Sequence, residues 1–315
     1  MVRVLDGIDA FLDQLAAVDP LPVLLAVLAQ LAKLTCTSLA WRNVLAAAYP
    51  DRTVRRRSIV GAYLGGVGVN AIVPLRAGDA VRILLAHRAI TGSTYTTVVS
   101  STLVLSIFDL VAASTVLAWA ALTQDALPGL GDLPRLPSFD FSWLLEHPLA
   151  AELVLAALVI GAVLAGIWIH GHVVDFWERV KQAFAVVRRP VLYLRTVAFW
   201  QACDWTFRLV AIWFLLDAFD IPQSIENVLL VQVSASIATL LPLTPAGIGT
   251  EQAFLLYVFQ GAVPSSQLLA FSVGLKVMTV GTNVVAGFTA IAVTLRTLRY
   301  NRALEPTREA PETQG

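Results

Sequence analysis

The chain alternates long apolar stretches with shorter polar ones. Five of the apolar stretches are long, and they cover residues 21 to 41, 94 to 122, 149 to 170, 196 to 219 and 267 to 295. A helix of about 20 apolar residues crosses a hydrocarbon core about 30 Å thick. The pattern therefore predicts five helices that each cross a membrane.

Three shorter apolar stretches interrupt this pattern at residues 58 to 74, 227 to 243 and 250 to 263. Each is rich in glycine or bounded by proline, and both residue types favour the interruption of a helix. By length, each is either a short crossing or one arm of a re-entrant hairpin. Two architectures follow: five crossings with two broken hairpins, or seven or eight plain crossings.

The positions of the basic residues favour the hairpins, because Lys and Arg concentrate in cytoplasmic loops. The loop 42 to 57, the link 171 to 195 and the C-terminal tail are basic, with Arg42, Arg52, Arg55, Arg56, Arg57, Arg179, Lys181, Arg188, Arg189, Arg195, Arg296, Arg299, Arg302 and Arg308. Loops 217 to 227 and 261 to 267 hold no basic residue. If all basic loops are inside, the first hairpin begins and ends on the cytoplasmic side and the second begins and ends on the external side. The N-terminus is then external and the C-terminus is cytoplasmic.

The same unit then occurs twice, as crossing, broken hairpin, crossing. Residues 21 to 122 and 196 to 295 carry it in opposite orientations, which is the pattern of inverted repeats. We predict an all-α polytopic membrane protein with one transmembrane domain over residues 1 to 300 and one extra crossing between the repeats. Residues 301 to 315, with mixed charges and two prolines, are expected to form a disordered cytoplasmic tail.

An amphipathic helix is predicted in the basic link. Apolar residues recur there at spacings of 4, 3, 4 and 3, at Val173, Trp177, Val180, Phe184 and Val187. Such a helix either lies along the inner membrane surface near anionic head groups, or packs on the bundle as a connector. The pattern is consistent with both.

Composition agrees with a membrane protein and excludes several functions. Apolar residues make up 57% of the chain, charged residues make up 14%, and the mean hydropathy is +0.73. The net charge is zero, and the charges do not form one basic surface, so no nucleic-acid partner is expected. The sequence has no nucleotide-binding loop, no nucleophile elbow and no zinc-protease motif. We therefore expect no cofactor, no metal and no catalytic residue.

Five ionisable residues fall inside the predicted crossings, where each costs about 2.5 to 3.5 kcal/mol if it faces lipid. They must face one another or water, and they are Lys33, Asp109, Asp204, Arg208 and Lys276. Asp204 and Arg208, four apart, form either an ion pair that permits insertion or part of a substrate site. Lys276 shares a helix face with Asn283, which favours a site. Lys33 either snorkels or joins the site, and Asp109 could pair with an arginine of the first hairpin.

The two hairpins break at proline and glycine residues, which leave backbone groups free at membrane depth. The breaks contain Pro74 and Gly78 in the first hairpin and Pro242, Pro245, Gly247 and Gly249 in the second. A helix that begins near Gly249 presents free amides to an anion, and Glu251 either caps it or couples a proton or cation. Arg76 and Arg82 either grip a phosphate or anchor the hairpin mouth.

The first hairpin carries Asn70, Pro74, Arg76, Gly78, Asp79 and Arg82 in the order Asn-x3-Pro-x-Arg-x-Gly-Asp-x2-Arg. This string resembles the flippase-like transmembrane region of lysylphosphatidylglycerol synthases and of stand-alone bacterial and archaeal membrane proteins. The second break, 241 to 251, is similar to that family's other marked segment. The resemblance covers about residues 20 to 295. It implies translocation of a lipid with a polar head group, and the end at Gly315 suggests a member without the aminoacyl-transferase domain.

We therefore expect a lipid translocase in the plasma membrane of a prokaryote. Its partners would be membrane lipids, either an anionic phospholipid or a polyprenyl-type phosphate lipid. The expected substrate-binding residues are Asn70, Arg76, Asp79, Arg82, Lys276 and Asn283, and the residues expected to couple or balance charge are Asp109, Asp204, Arg208 and Glu251. The alternatives are an integral membrane enzyme that uses carboxylates on lipid phosphates, a transporter of a small polar solute, and a non-catalytic scaffold.

Overall fold

The computed structural model describes residues 18–73, 77–123, 173–240, 250–259 and 263–304. Within these ranges all regular secondary structure is helical. Three helical segments are long and apolar enough to cross a membrane, Pro20–Ala48, Tyr95–Ala120 and Ser265–Val293. The chain is an all-α polytopic membrane protein, as predicted. The extra crossing expected at 149 to 170 lies outside the described residues.

The first half contains a long helix, two short helices and a second long helix. They are α1 Pro20–Ala48, α2 Arg56–Ile72, α3 Ala77–Ala89 and α4 Tyr95–Thr123. The Asp19 carboxylate caps α1 by accepting a hydrogen bond from the Leu21 N–H at 3.0 Å. The α2 helix ends beside Pro74, which has no backbone N–H to continue it.

The second half begins with the basic link and then repeats the order long, short, short, long. The elements are α5 Val173–Ala183, α6 Pro190–Tyr193, a π-helical turn Leu194–Ala198, α7 Phe199–Ala218, α8 Ile225–Leu240, α9 Thr250–Val258 and α10 Ser265–Leu304. The α6 helix, the π turn and α7 follow one another without a gap, so the helix predicted at 196 to 219 begins earlier, at Pro190. This helix carries Asp204, Arg208 and Asp217. It is not among the three crossings above.

Two predicted boundaries differ from the structure. The amphipathic helix ends at Ala183, and turns occupy 184 to 188, because the chain must break before Pro190 starts the next helix. Phe184 packs against the core there, while Val187 is exposed. At the C-terminus, α10 continues to Leu304 and so enters the segment predicted as disordered from residue 301. No helix breaker occurs before Pro306, which explains the longer helix.

The helices of the two halves make corresponding contacts. In the first half α1 packs on α2 and α4, and α3 packs on both α2 and α4; in the second half α7 packs on α8 and α10, and α9 on both α8 and α10. Between the halves, α2 packs on α10 as α8 packs on α4. The long helices α1 and α7 pack against each other along much of their length. Exchanging the halves therefore preserves these contacts.

The α1 and α7 helices run in opposite directions. Thr37 of α1 bonds to Asp204 of α7, whereas Asn43, further along α1, donates to the carbonyl of Thr196, which precedes Asp204. The α2 and α10 helices are also antiparallel, since Gly65 lies at Ile291 and Gly68 at Gly287. The leading helices of the two halves thus have opposite orientations.

The loops gather at two opposite ends of the bundle. At one end, Arg42 donates to the Val54 carbonyl, Gln182 donates to the Ala48 carbonyl, and Thr94 donates to the Tyr49 hydroxyl. This end contains the basic segments 49 to 57 and 179 to 196. At the other end, Gln267 donates to the Phe219 carbonyl. The loops predicted to be cytoplasmic are therefore together, and two of those predicted to be external meet at the far end.

Candidate functional site

The break in the first hairpin is closed by Asn70 at the end of α2. Its side-chain oxygen accepts the backbone N–H of Gly78 at 2.7 Å, and its amide donates to the Asp79 carboxylate at 2.9 Å. A Cβ on Gly78 would lie 2.0 Å from the Gly66 carbonyl oxygen, so only glycine allows α3 to approach α2 this closely. The spacing of the residues from Asn70 to Arg82 thus has a local structural basis.

Arg82 lies one turn after Asp79 and pairs with its carboxylate at 3.3 Å. Its guanidinium also lies over the rings of Trp41 and Tyr63, with 5.8 and 5.7 Å to the ring centroids. Trp41 is fully buried and is fixed by a 2.8 Å hydrogen bond from its indole N–H to Ser101 of α4. The Arg82 Nε atom is buried and has no hydrogen-bond partner among the described residues. We call Trp41, Tyr63, Asn70, Asp79 and Arg82 the first-hairpin site.

A second polar group lies between α1, α4 and α7, and we call it the central cluster. It consists of Lys33, Thr37, Asp109, Asp204, Trp205 and Arg208. Asp204 is buried, and it accepts hydrogen bonds from the Thr37 hydroxyl and, at 3.0 Å, from Arg208. Asp109 accepts the Trp205 indole N–H at 3.0 Å. Both carboxylates therefore have donors, as buried carboxylates require.

The Asp204–Arg208 ion pair predicted from the spacing of four is present, and Arg208 also lies over the Trp205 ring at 4.7 Å. Lys33 is within electrostatic range of Asp204, Arg208 and Asp109. For Asp109, an arginine of the first hairpin was expected, but the partner that the structure gives is Trp205, with Arg208 in electrostatic range. Asp109 thus belongs to the central cluster.

Tyr63 connects the two groups. Its ring lies against Arg82, while its hydroxyl lies close to the Thr37 side chain. Thr37 in turn bonds to Asp204. The first-hairpin site and the central cluster are therefore adjacent, and one aromatic side chain separates the Arg82 guanidinium from the Asp204 carboxylate.

The second half contributes a third polar group. Glu251, in the first turn of α9, is buried and pairs with Lys276 of α10 at 2.5 Å. Further along α10, Asn283 accepts a hydrogen bond from the buried Gln30 of α1 at 3.0 Å. Glu251 follows the second break as Asp79 follows the first, but its basic partner comes from another helix.

The described site residues thus occur in three groups. Asn70, Asp79 and Arg82 lie in the first-hairpin site, Asp109, Asp204 and Arg208 in the central cluster, and Glu251 and Lys276 form a separate pair. Gly78 bonds to Asn70 in the first hairpin, and Asn283 bonds to Gln30 apart from these groups. The predicted site residues outside the described ranges are Pro74, Arg76, Pro242, Pro245, Gly247 and Gly249. Among the described residues, no three His, Cys, Asp or Glu side chains are grouped so as to hold a metal ion.

Sequence reasoning overlooked the neutral residues that orient the charged ones. On α1, Lys33, Thr37 and Trp41 recur every four residues and so share one helix face. On α2, Tyr63 precedes Asn70 by seven positions, or about two turns, and shares its face. These spacings are visible in the sequence. A polar or amphipathic stripe inside an apolar helix was the signal that could have identified Thr37, Trp41 and Tyr63.

Comparison with known families identifies the chain. The family model for the lysylphosphatidylglycerol synthase transmembrane region matches residues 2–287, which is most of the chain and includes every group described above. Comparison with curated proteins and with solved structures gives no match. This family relates to the handling of a membrane lipid, phosphatidylglycerol, and the match is consistent with a helical bundle that holds charged side chains in its interior. The chain belongs to the lysylphosphatidylglycerol synthase transmembrane region family.

Proposed function

We propose that this protein moves a lipid with a phosphate-bearing head group between the two leaflets of a prokaryotic plasma membrane. The observation that carries the proposal is the path of polar contacts from Arg82 through Tyr63 and Thr37 to Asp204 and Arg208. Charged side chains inside a membrane-spanning bundle are costly unless protein or a polar ligand surrounds them. A head group crossing the bilayer needs the same shelter.

The substrate chemistry follows from Arg82. A guanidinium binds phosphate through parallel hydrogen bonds, and this one keeps its Nε donor unused. Asp79 holds Arg82 in place and balances its charge in the absence of substrate. An anionic phospholipid or a polyprenyl-type phosphate lipid supplies the phosphate that such a site recognises. The membership of the chain in a family related to phosphatidylglycerol supports a lipid over a small solute.

Inverted repeats would give the two halves equivalent roles on opposite sides of the membrane. The antiparallel packing of α1 on α7 and the corresponding helix contacts of the halves support this arrangement. The grouping of the basic segments at one end supports an external N-terminus and a cytoplasmic C-terminus. In this scheme, Glu251 and Lys276 form the counterpart of Asp79 and Arg82, and opening one pair while the other is closed would give alternating access.

The test is a leaflet-resolved transport measurement with purified protein in sealed vesicles. Tail-labelled phosphatidylglycerol, phosphatidylcholine and an uncharged diacylglycerol are placed in one leaflet, and label in the other leaflet is measured over time. We expect faster transfer of phosphatidylglycerol than in protein-free vesicles and no faster transfer of diacylglycerol. The same lipids are extracted and separated chemically. A new lipid species without transfer would instead support an enzyme that acts on lipid phosphates. If neither transfer nor a new lipid species is observed, the proposal is refuted.

A further inference from the structure

Lys33 lies in the centre of the bundle and forms no ion pair with any carboxylate that the structure describes. Arg82, Arg208 and Lys276 each have a carboxylate within 4 Å. Among the described residues, Lys33 forms no such ion pair, although it lies midway along α1 and is only partly exposed. An ammonium group has three donors and no acceptor, so Lys33 retains free donors.

The two nearby acids do not need Lys33. Asp204 already accepts hydrogen bonds from Thr37 and Arg208, and Asp109 accepts one from Trp205. Lys33 also lies within electrostatic range of Arg208, and the two positive charges repel each other. The carboxylates of Asp204 and Asp109, also within electrostatic range, oppose this repulsion but leave the Lys33 ammonium without an ion pair among the described residues. The same arrangement is favourable when an anion lies between the two cations.

Arg208 has unused capacity as well. Its NH2 group contacts Asp204, but its Nε atom is buried and has no partner among the described residues. Its side chain is 29% exposed, whereas that of Asp204 is 2% exposed. The guanidinium is therefore reachable while its carboxylate partner is not. Lys33 on α1 and Arg208 on α7 thus offer unused donors from two helices that pack against each other.

We propose that Lys33 and Arg208 form a second station for the phosphate of the head group, adjacent to Arg82. This station rests on the proposed function, since it gives the head group a place to go after Arg82. Tyr63 separates the two stations: its ring lies against Arg82, and its hydroxyl lies close to Thr37. Thr37 is one helical turn from Lys33. A phosphate that leaves Arg82 meets the next pair of cations without crossing an apolar gap.

Equilibrium binding tests the station independently of transport. Dihexanoyl phosphatidylglycerol is titrated into the full chain in a neutral detergent by calorimetry, with inorganic phosphate as a competitor. Lys33→Gln is expected to weaken binding of the lipid about tenfold or more, the loss typical of one hydrogen bond to a charged group. Lys33→Arg is expected to retain binding. Lys181→Gln is the matched control, since Lys181 pairs with Glu178 on the surface helix α5, and it should bind as wild type does.

Thermal unfolding without ligand separates a binding role from a structural one. Removal of an unpaired cation removes its desolvation cost, so Lys33→Gln and Lys33→Met should unfold at or above the wild-type temperature. Wild-type affinity in Lys33→Gln would overturn the station. A lower unfolding temperature in both Lys33→Gln and Lys33→Met, but not in Lys33→Arg, would also overturn it. Competition by inorganic phosphate assigns the contact to the phosphate, whereas lipid binding that phosphate cannot displace would overturn that assignment. If phosphatidylglycerol binds through Lys33 but is not transferred in vesicles, the transport function fails and the station remains.

Discussion

The Asn70 side chain accepts the Gly78 backbone N–H at 2.7 Å and thereby joins the last turn of α2 to the first turn of α3. The same side chain donates to Asp79, which holds Arg82. One amide thus fixes both the hairpin and the position of its cation. The described residues of the motif, Asn70, Gly78, Asp79 and Arg82, are thus linked by direct contacts.

Replacement of Asn70 by alanine should disrupt this unit. Asn70→Ala leaves the Gly78 N–H without its partner and removes one of the donors to Asp79, which keeps Arg82. An unsatisfied buried group costs about 1 to 3 kcal/mol. We expect a lower unfolding temperature in detergent together with loss of lipid transfer. Asn227→Ala, which removes a hydrogen bond to the Pro222 carbonyl in an exposed loop, is the control and should change neither. Normal transfer in Asn70→Ala would show that the hairpin does not depend on this amide.

The crossing of α2 and α10 depends on two glycines. A Cβ on Gly287 would lie 2.4 Å from the Gly68 Cα atom, and a Cβ on Gly68 would lie 2.7 Å from the Gly287 Cα atom, so neither position has room for a methyl group. Overpacking of this kind costs about 1 to 3 kcal/mol. Gly287→Ala should therefore lower the unfolding temperature. Gly281→Ala on the same helix is the matched control, because a Cβ there meets no atom within 4 Å; equal effects of the two substitutions would contradict the close crossing.

Asp204 should be the most costly single charge to remove. Its side chain is almost fully buried and bonds to Thr37 and Arg208, so Asp204→Asn leaves the partly buried Arg208 guanidinium without its carboxylate. Breaking one partner of a buried ion pair costs about 3 to 5 kcal/mol. The fall in unfolding temperature should be partly restored in the double variant Asp204→Asn with Arg208→Gln. Asp217→Asn, an exposed change on the same helix, should have no effect, and a comparable loss there would argue against a specific role for the central cluster.

The orientation of the hairpin is testable by cysteine labelling. Cys36 and Cys203 are free and are first replaced by alanine. Arg88→Cys, at the exposed end of α3, should not react with an impermeant reagent added outside cells, because in the proposed topology the first hairpin returns to the cytoplasm. Gln223→Cys, exposed in the loop between α7 and α8, should react. Labelling of Cys at position 88 from outside would reject the re-entrant hairpin and the inverted repeats with it.

The helices and the breaks between them could be predicted from the sequence because they depend on local properties. Apolar length and the positions of proline and glycine located α1 to α4 and α7 to α10, and a spacing of four located the Asp204–Arg208 pair. Contacts between helices could not be predicted in this way. The pairing of Lys276 with Glu251, and of Asp109 with Trp205, depends on which helices are neighbours and on how each is rotated.

The most direct test of lipid translocation compares wild type with Arg82→Gln in the same sealed vesicles. Arg82→Gln removes the charge that would receive the phosphate but keeps a long polar side chain, and its unfolding temperature is measured alongside to establish that it is folded. The measured quantity is the rate at which tail-labelled phosphatidylglycerol reaches the opposite leaflet. We predict rapid transfer with wild type and a rate close to that of protein-free vesicles with Arg82→Gln. Equal rates for wild type and protein-free vesicles would contradict the function, and equal rates for wild type and folded Arg82→Gln would contradict the role given to this arginine.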